Sequence, residues 1–157
     1  MDIETYSGTY DEDIISLILG IQNGEAGINL SLEEQPDLLD IRKNYQENGG
    51  EFWIALSEGQ LIGTIGLMMK ERQCAIMKKF FVKKEFRSRK VGLALYHELI
   101  KFAKASDVRH IILDTPSVAK ASHKFYEKAG FHKVSAAQLP ILYTYPDRDC
   151  YLYMLDL

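Results

Sequence analysis

The order of apolar and polar residues predicts helices near the start of the chain. Aliphatic residues recur at helical spacing over residues 11–21 and stop before the Asn-Gly pair at 23–24. A short strand is predicted ahead of them, over residues 2–6. A second helix is predicted over residues 36–47, ended by the Asn-Gly-Gly at 48–50. Its apolar side would consist of Leu38, Leu39, Ile41 and Tyr45.

The pattern then changes to strands that alternate with helices. Residues 51–57, 60–69 and 73–82 are rich in β-forming residues, and Glu58-Gly59 indicates a hairpin turn between the first two. A long helix is predicted over residues 89–106, and short strands over 110–113 and 150–157. The apolar stripe of the long helix would be Val91, Leu95, Leu99 and Phe102. This order predicts an α/β fold around one sheet of mixed strand direction.

A further helix is predicted between the last two strands. Thr115 would cap it, and Pro116 would take its first position, where the N–H that proline lacks would be unpaired in any case. Gly130 would end it in a left-handed conformation with Phe131 packed behind. His123 is expected on the exposed side of this helix. The apolar face would be Val118, Ser122, Phe125, Tyr126 and Ala129.

Composition narrows the class of protein. A chain of 157 residues without a repeat or linker is predicted to form a single domain over residues 1–157. Hydrophobic residues at 46% and charged residues at 26% exclude wholesale disorder, and a net charge of -3 argues against a dedicated nucleic-acid binder. Cys74 and Cys150 form neither a disulfide scaffold nor a close ligand pair, so no metal site is predicted. The absence of a long apolar run and the acidic start predict a soluble, cytoplasmic protein without a membrane partner.

Basic residues concentrate at one predicted strand-to-helix junction. The first N–H groups of a helix lack partners within it and, together with the helix dipole, favour an anion there. Gly92 and the small Ala94 would let a ligand approach closely. The junction is therefore either a phosphate cradle or a solvated basic surface. The P-loop pattern GxxxxGK(S/T) and the dinucleotide pattern GxGxxG are both absent. Seven of the 19 basic residues lie there: Lys78, Lys79, Lys83, Lys84, Arg87, Arg89 and Lys90.

Two segments, residues 80–95 and 122–131, carry motifs in order on these elements. Residues 87–92, Arg-Ser-Arg-Lys-Val-Gly, resemble motif A of the GNAT superfamily of N-acetyltransferases, Arg/Gln-x-x-Gly-x-Gly/Ala. Residues 122–131 resemble the family's Ala-x-x-x-Tyr-x-x-x-Gly-Phe signature. Lys90 stands at the first motif glycine, Ala119 at a common asparagine and Ser122 at the usual alanine. A lysine at position 90 can still donate its backbone amide if its φ is ordinary.

The resemblance implies the fold and the acyl donor. It implies a mixed, mostly antiparallel sheet that splits in a V between two parallel strands, here 73–82 and 110–113, with helices on both faces. Acetyl-CoA would lie in that split, with backbone groups of Phe81 and Val82 pairing with its pantetheine arm like an added strand and Ser122 and Tyr126 completing the site. Seven backbone amides would hold the pyrophosphate, those of Arg87, Ser88, Arg89, Lys90, Val91, Gly92 and Leu93.

The resemblance also implies the reaction. The expected activity transfers acetyl from acetyl-CoA to a primary amine of a small molecule, by direct attack through a tetrahedral intermediate that an amide near Val82 would stabilise. Tyr126 is the expected general acid, because a phenol is protonated at neutral pH and can protonate the CoA thiolate. The helix pattern alone would make it a packing residue. The alternative function is an acyl-CoA sensor of the same fold without turnover, and a monomer or homodimer is expected.

The general base and the acceptor pocket stay open. The strand over residues 73–82 has no carboxylate, so Glu71, Asp114 and a bound water remain candidates. The pocket is expected between the first two helices, their connection and the last strand. Its acidic residues 29–47 would either attract a cationic amine or form an exposed helix. Arg148, near Tyr143 and Tyr145, would bind an acceptor carboxylate or pair with Asp147 or Asp149.

Overall fold

The chain folds into a seven-stranded sheet with helices on both faces. The structure is a computed structural model and describes residues 1–145 and 149–157. The strands are β1 Asp2–Thr5, β2 Glu51–Ser57, β3 Gln60–Met69, β4 Cys74–Val82, β5 His110–Pro116, β6 His132–Val134 and β7 Cys150–Asp156. The α-helices are α1 Asp11–Leu19, α2 Val91–Ala105 and α3 Lys120–Lys128. Shorter turns are π-helical at Gly20–Glu25 and Arg42–Gln46, and 3-10 at Pro36–Leu39, Lys84–Arg89 and Ala136–Gln138.

The strand order is β1-β2-β3-β4-β5-β7-β6. Within the described residues every neighbouring pair is antiparallel except β4 and β5, which run parallel. A parallel pair cannot be joined by a hairpin, and α2 supplies the crossover between these two strands. The predicted fold class, a mostly antiparallel mixed sheet with one parallel pair and flanking helices, is confirmed.

Two apolar layers cover the two faces of the sheet. Alternate residues of β2 point to opposite sides, so Trp53 joins the core under α2 and α3 while Phe52 and Ile54 join the core under α1. We call these the α2–α3 face and the α1 face. Residues 139–143 extend the cover of the α1 face over β4 and β5, where Ile141 packs on Ile112 and Ile76.

Two local predictions are confirmed in detail. Glu58 and Gly59 both have positive φ, 51° and 76°, as a tight hairpin turn between β2 and β3 requires. At the end of α3, Gly130 has φ 103°, its N–H donates to Glu127 O, and the Phe131 N–H donates to Tyr126 O. This pair of bonds closes the helix in the glycine-terminated motif that the sequence predicts.

The predicted helix over residues 36–47 is wrong, because Asp40 interrupts it. Asp40 has φ -152° and ψ 78°, and its side chain accepts the Lys43 N–H at 3.2 Å, so it ends one turn and caps the next. Leu39 is consequently 62% exposed rather than apolar-facing, whereas Leu38, Ile41 and Tyr45 are buried. The first helix also differs from its prediction, since a π-helical turn carries it to Glu25.

The predicted start of the helix that became α3 is also wrong. Thr115 and Pro116 lie in β5, opposite Tyr151 and Cys150 of β7, and α3 begins only at Lys120. Pairing with β7 outweighs the local capping signal, and Pro116 is tolerated as the last residue of its strand. The three-residue strand β6 was not predicted. Among the described residues no helix has the length and apolar character needed to cross a membrane.

Candidate active site

Strands β4 and β5 separate after three paired residues. Cys74–Ile76 pairs with His110–Ile112, and β4 then continues to Val82 while β5 continues to Pro116 beside β7. We call the gap between their diverging ends the β4–β5 split. A split in the middle of a sheet exposes backbone N–H and C=O groups along its edges, which an extended ligand can use as a strand would.

A β-bulge in β4 bends this strand away from β5. Lys78 pairs with Gly66 and Phe81 with Thr64, so Lys79 and Phe80 together oppose one residue of β3. Lys79 has φ 55°, and its carbonyl accepts the Thr64 hydroxyl at 2.7 Å. The bulge therefore has a dedicated side-chain bond that holds it in place.

The hydrogen-bonding register between β3 and β4 determines which backbone groups of β4 face the split. The Lys83 N–H donates to Ile62 O at 2.7 Å, toward β3. Because hydrogen-bonding directions alternate along an antiparallel strand, the polar groups of Val82 point toward the split and those of Phe81 toward β3. The Val82 carbonyl accepts the Arg87 Nε–H at 2.9 Å. The Val82 N–H points into the split, where a ligand can accept it.

The loop of residues 83–90, which we call the basic loop, leads into the N-terminus of α2. The first hydrogen bond of the helix joins the Ala94 N–H to Lys90 O at 3.1 Å, so the N–H groups of Val91, Gly92 and Leu93 precede it. Lys90 has φ 61°, so the condition of an ordinary φ at this position is not met. A left-handed conformation favours glycine, which accounts for the glycine of the motif, and a lysine there carries about 1–2 kcal/mol of strain.

Two basic side chains of this region are already engaged. The Arg87 guanidinium bonds to Glu25 Oε2 at 2.7 Å as well as to Val82 O, which ties the loop to the turn after α1. Lys79 is buried on the α1 face, so its assignment to the basic junction is wrong: the bulge turns it away from the loop. The side chains of Lys83, Lys84, Ser88, Arg89 and Lys90 are exposed around the cradle.

Tyr126 lies on α3 inside the core of the α2–α3 face. Its ring centroid is 5.8 Å from that of Phe131 and 6.0 Å from that of Tyr153. Burial raises the pKa of its hydroxyl well above the ordinary value of 10, and the Asp114 carboxylate raises it further. Ser122, one helical turn earlier, is half-buried on the same side.

His123 is buried, so its predicted exposure is wrong. Its Nε2 lies 2.9 Å from Pro116 O, and its ring packs against Tyr151 and Tyr153. His123 and Tyr126 are three residues apart, so they lie on the same face of α3, and both are buried. The histidine therefore fastens α3 to the end of β5.

A buried polar network occupies the α1 face beneath the bulge. Lys79 Nζ lies 3.6 Å from Asp37 Oδ2 and donates to Gln35 Oε1 at 2.7 Å. The Tyr45 hydroxyl donates to Asp37 Oδ2 at 2.6 Å, and Gln35 exchanges two amide hydrogen bonds with Gln22. Burial lowers the pKa of Lys79, which Asp37 partly opposes, and burial together with Asp37 raises the pKa of Tyr45. Asp37 is thus the residue of the acidic segment 29–47 that contacts Lys79. The sequence pattern did not distinguish it from the other acidic residues of that segment.

Asp114 stands on the opposite edge of the split. The Tyr143 hydroxyl donates to Asp114 Oδ1, and burial and this carboxylate raise the pKa of Tyr143. Glu71, the other candidate carboxylate, is exposed in the turn before β4. Arg148 and Asp147 lie outside the described residues. Tyr145 packs on Tyr143 with centroids 5.8 Å apart.

A separate open cleft of about 680 Å³ lies on the other side of the basic loop. It is bounded by α1, the β2–β3 turn and residues 83–85. It does not reach the β4–β5 split, since none of its lining residues belongs to β5 or α3.

Comparison with known proteins identifies the family. The profile of the acetyltransferase (GNAT) family matches residues 19–131, and the chain belongs to this family. An acetyltransferase from Streptococcus agalactiae is 35% identical, with a TM-score of 0.96 over 99% of this chain and 98% of that one. A streptothricin acetyltransferase from Bacillus anthracis, described as putative and solved with acetyl coenzyme A, is 27% identical, with a TM-score of 0.58 over 72% of this chain and 68% of that one.

The curated relatives are longer proteins. N-acetylaspartate synthetase of Danio rerio is 30% identical over 104 residues, which is 65% of this chain and 37% of that protein. The chain matches 37% of the length of this relative and 50% of the length of the probable N-acetyltransferase camello of Xenopus tropicalis.

Proposed function

We propose that the protein transfers the acetyl group of acetyl-CoA to a primary amine of a small molecule. The observation that carries the proposal is the β4–β5 split: the backbone of Val82 points into it from β4, and Tyr126 of α3 packs against Tyr153 of β7, the strand that pairs with β5. The cradle at the start of α2 lies at the end of the same strand. Residues 1–157 would carry out this reaction as a single domain.

The proposed cofactor site uses the backbone more than side chains. The amides of residues 87–93 would hold the pyrophosphate, because the N-terminus of a helix favours an anion. Val82 would pair with the pantetheine arm. The backbone pairing predicted for Phe81 is wrong, because its polar groups face β3, and its side chain packs against the core of the α1 face. Ser122 would border the arm from α3. The thioester would then lie between Val82 and Tyr126.

Within this site, the amine would attack the thioester directly. The Val82 N–H, a fixed dipole beside the thioester, would stabilise the oxyanion of the tetrahedral intermediate. The Tyr126 hydroxyl would donate its proton to the departing sulfur, and the proton that the attacking nitrogen loses would return to the phenol through bound water. Its raised pKa keeps it protonated at every physiological pH, so the donor is always present.

The acceptor is proposed to be a small amine, for example an amino acid. Within the apolar α1 face, the side chains of Lys79, Asp37 and Asp114 form a small polar region beside the split, which suits a small polar acceptor. The name of the Danio rerio relative, N-acetylaspartate synthetase, supports an amino-acid acceptor. Because that relative is much longer than this chain, its name supports the class of acceptor and no particular substrate.

Release of free thiol from acetyl-CoA tests the proposal. The purified protein is assayed against single amines from four classes: amino acids, polyamines, aminoglycosides and short peptides. We expect turnover with a small amine and none with acetyl-CoA alone. If CoA raises the melting temperature while every amine stays silent, the protein would instead be an acyl-CoA sensor, and the proposal would be wrong.

Gly92→Asp is expected to weaken CoA binding about tenfold without unfolding the protein, because a carboxylate in the first turn of α2 favours the helix but repels the pyrophosphate. The first carbon of the new side chain would lie 3.4 Å from Phe80 Cζ and 3.6 Å from Val82 Cγ2, which are ordinary contacts. Calorimetric titration with CoA measures the effect. Gly20→Asp is the matched control for the added charge, because the first carbon of a side chain there meets nothing within 4 Å. Equal CoA affinity of both variants would contradict the assignment of the cradle.

A further inference from the structure

Asp114 is positioned where the acceptor amine must arrive. Side chains alternate along β5, so Ile111 and Leu113 enter the core of the α2–α3 face, whereas Ile112 and Asp114 point to the α1 face. Ile112 is the last residue of β5 that pairs with β4. Asp114 is thus the first side chain on the α1 face beyond the point where the strands separate.

The charged groups near Asp114 leave the region negatively charged. The titratable groups that interact electrostatically with Asp114 belong to four elements: Lys79 of β4, Tyr126 of α3, Tyr143 of the segment before β7 and Cys150 of β7. Among the described residues, Lys79 is the cation of this group, and it contacts Asp37 rather than Asp114. Two carboxylates and one ammonium therefore give a net charge of about minus one at the split.

The hydrogen bonding of Asp114 leaves one oxygen for a ligand. Oδ1 accepts the Tyr143 hydroxyl, and no donor from the described residues reaches Oδ2. The tyrosine fixes the rotation of the carboxylate while keeping its charge, because burial raises the pKa of the phenol and keeps it a neutral donor. A half-buried carboxylate held in this way is suited to bind a cation.

We infer that Asp114, oriented by Tyr143, binds the ammonium group of the acceptor amine beside the β4–β5 split. This inference rests on the proposed function and adds the residue that recognises the amine. Two alternatives fail on geometry. Glu71 is exposed in the turn before β4, ahead of the paired residues rather than beyond them, and the ring of His123 bonds to Pro116 O within the α3–β7 contact. Tyr143 is a positioning residue, since it acts through Asp114.

Asp114→Asn tests the inference by separating amine binding from the other steps. The amide keeps an oxygen for the Tyr143 hydroxyl but removes the charge. With the best amine of the thiol-release panel, we expect KM for the amine to rise at least tenfold, kcat to change less than threefold and CoA affinity to stay within twofold. Tyr143→Phe keeps the charge and is expected to raise the same KM about threefold.

Asp156→Asn is the matched control for charge. Asp156 lies at the opposite end of the β5–β7 pair, where it bonds to His110 Nδ1 at 2.7 Å, and its loss should leave KM unchanged. A KM of Asp114→Asn within twofold of the unmodified protein would overturn the inference alone. An unmodified protein that turns over no amine would overturn the proposed function, and the inference with it.

A second measurement needs no variant and so does not depend on its folding. Choline and its uncharged isostere 3,3-dimethylbutan-1-ol are compared as inhibitors of the unmodified enzyme at equal concentration. We expect choline to inhibit more strongly and to compete with the amine, because a negative site prefers the cation at equal shape. No preference for choline would overturn the inference.

Discussion

Tyr126→Phe is expected to lower kcat about 100-fold or more while leaving CoA affinity within twofold. Protonation of a leaving group by a positioned side chain contributes roughly 10²–10⁴ to the rate. The substitution removes only the hydroxyl, so the ring contacts with Phe131 and Tyr153 stay and the fold is retained. Steady-state thiol release gives kcat, and calorimetry gives the CoA affinity.

Tyr96→Phe is the control for this substitution. Tyr96 is a buried tyrosine of α2 in the same aromatic cluster, and burial raises its pKa to about 12. Its loss of a hydroxyl should leave kcat unchanged. If Tyr126→Phe keeps more than half of the activity, Tyr126 is a packing residue and the leaving thiolate is protonated by another group.

Asp37→Asn is expected to lower the free energy of unfolding by about 3–5 kcal/mol, because it leaves the nearly buried ammonium of Lys79 without its anionic partner. The side chains of this pair are only 10% and 11% exposed. Chemical denaturation at neutral pH measures the loss. Glu98→Gln removes a partner from the exposed Lys101–Glu98 pair and should cost less than about 1 kcal/mol.

The double variant Asp37→Asn with Lys79→Met separates charge burial from packing. Replacing both partners removes the unpaired charge, so more than half of the lost stability should return. If the double variant is no more stable than Asp37→Asn, the loss comes from the Tyr45 hydrogen bond or from local packing instead.

The loss in free energy of unfolding caused by Asp37→Asn should also become smaller as the pH rises. Burial lowers the pKa of Lys79 below its ordinary value of 10.5, and removal of Asp37 takes away the interaction that raises it. Between the lowered pKa and 10.5 the unfolded chain holds more protons than the folded one, so stability rises with pH in that window. The difference from the unmodified protein should therefore narrow as the pH approaches 10.5. A constant difference would indicate that Lys79 is not the group responsible.

Features set by neighbouring residues were predictable from the sequence. The left-handed pair Glu58-Gly59 and the left-handed Gly130 follow from local steric preferences, and the apolar stripe of α2 follows from helical spacing. The family motifs added the parallel pair β4–β5 and the acyl donor, neither of which follows from periodicity alone.

Features set by distant partners were not predictable. Thr115 and Pro116 carry a strong helix-start signal, yet pairing with β7 keeps them in a strand. Lys79 belongs to a basic run in the sequence, and only the bulge, held by Thr64, turns it toward Asp37. A one-residue change of register moves a side chain to the other face of a sheet, and no local pattern marks where a bulge will fall. The pyrophosphate cradle was therefore predictable from the sequence, whereas the residues of the acceptor face were not.

A crystal structure with CoA tests the central claim most directly. The account predicts the pantetheine arm in the β4–β5 split beside Val82, the pyrophosphate on the amides of residues 87–93 and the sulfur within about 3.5 Å of the Tyr126 hydroxyl. Density for CoA in the cleft between α1 and residues 83–85, with the split empty, would contradict it.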